Sequence, residues 1–554
     1  MIKEKDAWNE TKSFHAGTES YVPGNDRAEE EEKRSFSERL KETGTKKAAN
    51  ILTGRVLVVA VLLVIQIVWL VFMLVKLMEY SAWISIFFTV ISLLVTVYII
   101  NSNGNPSVKL AWIVPIIEMP LFGGLLYLAF GTKRPLRSMR QALEKADQLT
   151  VPYVDVDPGL IRQVREADPH MGGQMQYLAD HLYPAYQNTD AVYYPVGEAN
   201  FQAILDALRQ AEHYIFLEYF IVQEGVMWNS ILEILQQKAA AGVEVRFIYD
   251  DFGSLFKLPT GYDRKLEAMG IKTLVFNPFI PFLSVVMNNR DHRKILVIDG
   301  HTAFTGGINL ADEYINIDSP FGHWKDTGVQ LHGEAVWGLT LMFLNMWNAF
   351  RPTDQDLDKF RPGVWHQERF EGQGYVIPYA DTPLDDELMA ENVYMNLISG
   401  ATKYVYIFTP YLITDHEMTT ALCLAAKRGV DVRIMTPGIP DKKTVYQLTR
   451  SHYPELLDNG VKIYEYTPGF VHAKCMVSDD KVATVGTINF DYRSLYLHFE
   501  CGTLHYQNKV VEQVRDDFLE TQKLCRQVTE YRTDRISLIR ETYYAILRLF
   551  APLM

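Results

Sequence analysis

The chain has 554 residues, a formal net charge of −13 and 48% hydrophobic residues. That length can hold two sizeable cores plus further elements, while the acidic balance argues against a general nucleic-acid or other polyanion binder, since phosphate-tracking proteins carry a basic surface. The four cysteines, Cys423, Cys475, Cys501 and Cys525, show no paired spacing and read as buried thiols, not as a disulfide framework or a zinc site.

Residues 1–50 are polar and dense in charges of both signs, with an acidic run at 29–32. Such a segment cannot bury enough surface to offset its chain entropy, so a disordered tail is expected. Composition then changes sharply, and residues 51–132 read as a membrane anchor. Residues 56–75 hold only Gln66 as a strongly polar side chain, and residues 82–100 hold only serine and threonine. Each run approaches the ~20 residues that cross a hydrocarbon core of ~30 Å, and their close spacing favours a transmembrane hairpin over buried helices of a soluble core. Neither has the form of a cleaved signal peptide. A third apolar stretch, 110–130, is interrupted by Pro115, Glu118 and Pro120. It reads either as a kinked span or as a re-entrant element, because proline and a carboxylate in lipid need protein or water around them. Lys46, Lys47 and Arg55 precede the first run, and Lys133, Arg134, Arg137 and Arg140 follow the third. The positive-inside rule would place both flanks in the cytosol with an even number of crossings. Two spans with a re-entrant third and three full spans both stand.

Residues 133–190 are expected to form a connector, helical over 139–150 and then rich in loops. A first α/β domain is expected over 191–350, with a helix at 200–211, a buried strand at 214–222, a helix at 230–241 and a strand at 243–249. Residues 351–375, rich in charge and carrying Pro352, Pro362 and Gly372, make a linker. A second domain over 376–534 repeats the order of the first at an offset of about 180 to 190 residues, which indicates duplicated domains. The last segment, 535–554, alternates Arg535, Arg540 and Arg548 with apolar residues. It reads as an amphipathic helix, lying in a membrane interface or packed on the catalytic domain.

The duplication centres on one motif. His292, Lys294, Asp299 and Asn309 recur in order and spacing as His472, Lys474, Asp479 and Asn489, with the asparagine 17 residues after the histidine in both copies. Residues 295–298 and 475–477 read as strands, which would set each histidine beside its lysine on one face. Asp299-Gly300 is a hairpin-turn signal, and Gly306 and Gly307 would let backbone approach an anion. An imidazole, a fixed cation and an amide donor are the parts of a phosphoryl-transfer site without metal.

These two motifs resemble the paired HKD motifs of the phospholipase D superfamily. The wider match resembles its bacterial cardiolipin synthases, through residues 105–131, Gly322-His323-Trp324-Lys325-Asp326-Thr327, Asn489-Phe490-Asp491-Tyr492-Arg493-Ser494 and Phe499-Glu500. The resemblance implies two phospholipase D-like α/β mixed-sheet domains packed about a pseudo-twofold axis behind transmembrane helices in a bacterial plasma membrane. It implies a transferase joining two phosphatidylglycerols into cardiolipin and glycerol, with no cofactor, metal or nucleic acid involved. His292 would be the nucleophile and His472 the acid/base. Lys294, Lys474, Asn309 and Asn489 would hold the phosphate, and Glu500 and Asp326 would orient His292 and His472 across the halves. Asp299 and Asp479 belong to the motif's catalytic set by name, yet their hairpin positions read as structural. Glu218 is a candidate for the head-group pocket. A hydrolase or head-group exchanger is the alternative enzyme, and a catalytically dead membrane scaffold the alternative of another class.

Overall fold

The computed structural model of the protein describes residues 64–65, 67–69, 71–73, 75–76, 82–119, 123–124, 127, 131, 137–279, 288–366, 369–529 and 538–553. The tail at 1–50 and much of the first apolar run lie outside the described residues. Among the described residues no helix is long and apolar enough to cross a membrane. The second apolar run contains α1 (Ala82–Asn101), and the third opens with α2 (Pro106–Glu118). Helix α2 starts at Asn105, whose side chain accepts from Ser107 N, and Pro106 takes a first-turn position where its missing N–H costs nothing. The Asn105 amide also donates to Asp415 Oδ2 at 2.8 Å and to Tyr496 OH at 3.0 Å, fastening α2 to the second half of the catalytic region.

The connector holds more helix than expected. After α3 (Arg137–Thr150), the stretch read as loops contains α4 (Pro158–Ala167) and α5 (Pro169–Asp180). An Asp-Pro pair opens each of the latter two: Asp157 accepts from Gly159 N and Asp168 from Met171 N, and the prolines follow at the first helical position. Short, well-capped helices carry too few turns to show clear periodicity in sequence.

The first half contains β1 (Thr189–Tyr194), β2 (Tyr214–Tyr219), β3 (Glu244–Asp250), β4 (Lys272–Phe276), β5 (Lys294–Ile298), β6 (Thr302–Gly306), β7 (His323–Lys325) and β8 (Gly328–Gly333), followed by α6 (Val336–Phe350). Seven of these strands form one mixed sheet in the order β1-β8-β6-β5-β2-β3-β4. The second half contains β9 (Tyr375–Asp381), β10 (Tyr404–Phe408), β11 (Leu412–Ile413), β12 (Asp431–Pro437), β13 (Lys462–Tyr466), β14 (Gly469–Val471), β15 (Cys475–Ser478), β16 (Val482–Gly486), β17 (Phe490–Asp491), β18 (Glu500–Tyr506), α7 (Lys509–Gln522) and β19 (Cys525–Gln527). Its sheet runs β19-β13-β12-β10-β15-β16-β18-β9, the same order apart from β19 added at one edge. Duplication is therefore present in the topology as well as in the motifs.

One apolar core is shared by both halves. Phe216 of β2 stacks on Phe343 of α6 at 4.6 Å, and Tyr406 of β10 stacks on Phe518 of α7 at 4.9 Å. The two sheets face each other through these helices, in a single cluster that also holds Val297, Leu331 and Val477. Separate clusters on the outer faces bury the remaining helices of each half. Strands buried on both faces explain the near-continuous apolar runs in the sequence. At the C-terminus, α8 (Leu538–Phe550) packs on the second half: Arg548 Nε lies 3.1 Å from Ser451 Oγ, and Ala551 is buried with Ile413, Leu448 and Tyr492.

Candidate active site

His292 and His472 lie just ahead of β5 and β15, the strands expected at 295–298 and 475–477, so strand alternation does not set each histidine beside its lysine. Each lysine instead reaches back to its histidine's own backbone: Lys294 Nζ donates to His292 O at 2.6 Å, and Lys474 Nζ donates to His472 O. All four side chains are buried.

Backbone pairing between the halves delivers each histidine to an acid. Strand β14 runs parallel to β7 with Val471 opposite Lys325, so the next residues on the two chains, His472 and Asp326, meet. His472 N donates to Lys325 O at 2.7 Å, and His472 Nδ1 lies 2.6 Å from Asp326 Oδ2. On the opposite side, Asp291 bridges Phe499 in parallel register, so His292 meets Glu500. His292 N donates to Phe499 O at 2.9 Å, and its Nδ1 lies 2.9 Å from both Glu500 carboxylate oxygens. Every orienting acid thus comes from the half that does not supply the histidine.

The two pairs differ electrically. Glu500 accepts from Ser494 Oγ at 2.7 Å and from Thr487 Oγ1. Burial would raise its pKa, but His292 beside it holds the carboxyl well below the usual carboxylate range. Asp326 accepts from Thr327 N at 2.8 Å, and burial pushes it up to about 6 even though Lys474 and Lys294 pull the other way. Burial lowers His292 to about 3 and drives His472 well below the ordinary imidazole value, with Lys474 and Lys294 adding to the latter. Burial also brings Lys294 down to about 8 and Lys474 to about 7. Two ammonium groups taken out of water beside two imidazoles are the kind of arrangement that pairs with an anionic oxygen.

Other residues singled out in the sequence occupy different places. Asp299 and Asp479, counted with the motif's catalytic set, do not join the histidines. Asp299 sits at the far end of β5, roughly 17 Å of strand away. Its carboxylate accepts from Glu212 N, His213 N and Tyr214 N at 2.7 to 2.8 Å, and Asp479 likewise accepts from Thr402, Lys403 and Tyr404. They tie a hairpin to the start of the neighbouring strand. Asp299 and Gly300 both have positive φ, at 49° and 72°, within the three-residue turn that joins Ile298 to its partner Thr302. Glu218 is fully buried and paired with Arg293 at 2.6 Å, which removes it from any head-group pocket. Gly307 is needed for a close approach other than the one expected: a Cβ there would sit 2.1 Å from Asp326 Oδ1, so the glycine makes room for the acid behind His472. Asn309 accepts from Ile221 N at 3.0 Å and donates to Tyr314 OH at 2.7 Å, which leaves one amide N–H. Asn489, at the equivalent position, is buried with its Oδ1 unpartnered.

Comparison with known proteins follows this geometry. A family model described as "Cardiolipin synthase, PLD-like domain" matches residues 204–319 and 394–522, and one described as "Phospholipase_D-nuclease N-terminal" matches 90–131. Cardiolipin synthase 2 of Bacillus anthracis is 37% identical over 478 residues, which cover 84% of this chain and 91% of that protein. The chain belongs to the cardiolipin synthase family. A cardiolipin synthase of Geobacillus thermodenitrificans is 35% identical over 463 residues, covering 82% of this chain and 90% of that one. An uncharacterized protein of Streptococcus mutans is 46% identical over 459 residues, covering 82% and 99%.

Within this family member, four residues near the histidines lie outside the repeated His-Lys-Asp motif. His498 lies 5.5 Å from His292, ring to ring, with its Nδ1 3.8 Å from Glu500 Oε1. Its place two residues before Glu500 matches that of Trp324 before Asp326, and Trp324 stands 5.2 Å from His472. Thr487 and Ser494 hold Glu500, and Thr487 occupies the position that Gly307 takes in the first half. Aligning the two copies residue by residue beyond the motif would have exposed both pairs.

Proposed function

We infer that the protein is a cardiolipin synthase, moving a phosphatidyl group from one phosphatidylglycerol to another through His292. The observation that carries this reading is the pair of crosswise His–acid couples, His292 with Glu500 and His472 with Asp326, beside two buried lysines. A phosphodiester set between two imidazoles can be attacked from one side and lose its alcohol on the other.

The difference between the couples supports the assignment of roles. Glu500, anionic and held by two hydroxyls, fixes the proton on His292 Nδ1 and leaves the Nε2 lone pair for attack. Nε2 bonds to phosphorus, the P–O bond to glycerol breaks, and the glycerol oxygen takes a proton from His472. Asp326, poised near neutrality, shares that shuttling proton with His472. The incoming anion offsets Lys474 and Lys294, which favours the protonated imidazole as substrate arrives. A second phosphatidylglycerol then gives its hydroxyl proton to His472, its oxygen bonds to phosphorus, and the P–N bond breaks. Lys294, Lys474 and the amides of Asn309 and Asn489 hold the non-bridging oxygens.

The surface of α1 supports action at a bilayer. Phe87, Leu93, Leu94 and Tyr98 of α1 are exposed, which an apolar helix tolerates in lipid far better than in water.

In vesicles of labelled phosphatidylglycerol, the purified protein should yield cardiolipin and free glycerol in about equal amounts. Excess glycerol should reverse the reaction, since one phosphodiester is exchanged for another. Phosphatidic acid as the main product would replace this reading with a hydrolase, and no lipid turnover would replace it with a scaffold.

A further inference from the structure

At the end of β5 opposite the catalytic centre, three histidines from separate parts of the chain converge. His301 follows the Asp299-Gly300 turn, His332 lies on β8 with Thr302 as its partner in the sheet, and His366 comes from the linker between the halves. Each offers a ring nitrogen within 4.8 Å of those of the other two, and all three are half-buried. The ring centroids are 5.1 to 5.3 Å apart. None of these residues takes part in the phosphoryl chemistry.

Several features build this cluster into a site. Thr302 Oγ1 lies 3.1 Å from Nδ1 of both His301 and His332, so one hydroxyl orients two rings, as outer-shell groups do around metal-bound imidazoles. Phe370 stacks on His366 at 4.5 Å and stands 5.5 Å from His332, closing one side with an apolar ring.

We propose that His301, His332 and His366 form a binding site for a divalent transition metal of the zinc class, which fastens the inter-domain linker to the edge of the first sheet. Three imidazoles suit zinc, copper and nickel, and leave a fourth position to water. Metal–nitrogen bonds of ~2.0–2.1 Å in a tetrahedral site set nitrogens about 3.4 Å apart, so ring rotations that bring the three nitrogens up to about 1.4 Å closer complete the shell. His301 and His332 are held by a strand pair and a shared hydroxyl, so the adjustment falls mainly on the His366 ring. Metal binding would therefore pin the linker to the sheet edge, with no direct bond to the catalytic groups.

The test uses the full chain in detergent micelles, stripped with a chelator and titrated with Zn(II) or Co(II) alone. His292, His498 and Glu500 form a second group of possible ligands, so every titration is repeated in a His498→Ala background. The expected result is one Zn(II) per chain at micromolar or tighter affinity in that background. Co(II) should give the intense visible bands of a four-coordinate ion, and saturating Zn(II) should raise Tm by roughly 2–4 °C. His366→Ala and His332→Ala should each weaken binding at least 100-fold, whereas His366→Cys, which keeps a ligand, should retain most of it. The Tm of metal-free His366→Ala should equal that of the metal-free parent, showing that the fold survives the change. Absence of stoichiometric binding, or binding unchanged by His366→Ala, would overturn the proposal.

Discussion

Replacing Glu500 by glutamine tests whether this acid, remote from His292 in sequence, governs the nucleophile. The carboxylate is fully buried, accepts from His292 Nδ1 at 2.9 Å, and is held by Ser494 and Thr487. Glutamine matches its shape but carries no charge. Loss of a charge-assisted hydrogen bond costs ~1.5–3 kcal/mol, equivalent to about 10- to 150-fold in rate. An amide N–H turned toward Nδ1 would also place the imidazole proton on Nε2, the attacking atom, and wrong-tautomer effects behind a catalytic histidine reach ~10^4-fold. Glu500→Gln is therefore expected to lower kcat by about 10^2- to 10^4-fold with little change in KM. Single-turnover release of labelled glycerol from phosphatidylglycerol vesicles measures the first step, and mapping of labelled lipid on the protein at alkaline pH, which spares the acid-labile P–N bond, measures the adduct. Glu500→Gln should show neither a glycerol burst nor an adduct. Asp326→Asn leaves the His292 couple intact and impairs the proton shuttle, so its slower first turnover should leave phosphatidyl groups on His292. A rate within tenfold of wild type for Glu500→Gln, or the reverse distribution of adduct between the two variants, would refute the crosswise assignment.

Two further outcomes follow from the buried charges. Lys294 and Lys474, lowered by burial to about 8 and about 7, lose their positive charge as pH rises through that range, so kcat/KM should fall above pH 7 to 8; an unperturbed lysine would delay the fall to ~10.4. A kcat/KM profile on vesicles that stays flat to pH 10 would contradict this. Asp299→Ala strips the acceptor from the N–H groups of Glu212, His213 and Tyr214 and should cost about 2–4 kcal/mol of stability. Thermal unfolding should show a lower Tm while kcat of the folded protein stays within about threefold, and a 100-fold loss of kcat at unchanged Tm would return Asp299 to the chemistry.

The sequence by itself determined the duplication, the α/β class and the residue types at the centre. Strands buried on both faces leave continuous apolar runs, and a repeated His-x-Lys with its downstream asparagine survives as a pattern because the spacing lies within one local hairpin. Local hydrogen bonding likewise marked Asp299-Gly300 as a turn. What the chain order left undecided was everything set by contacts between distant segments. That Glu500 and Asp326 stand behind His292 and His472 was implied by the family resemblance alone; β7 pairing with β14 and Asp291 bridging Phe499 build it, and no local periodicity encodes such pairings. The unequal charge states of the two couples depend on which hydroxyls surround each acid in a dry interior, so they appear only with burial. Glu218 looked available until Arg293 was found beside it, and Gly307 proved to serve an acid, not an anion. His301, His332 and His366 are ordinary residues in the sequence; tertiary structure alone brings a turn, a strand and a linker to one point.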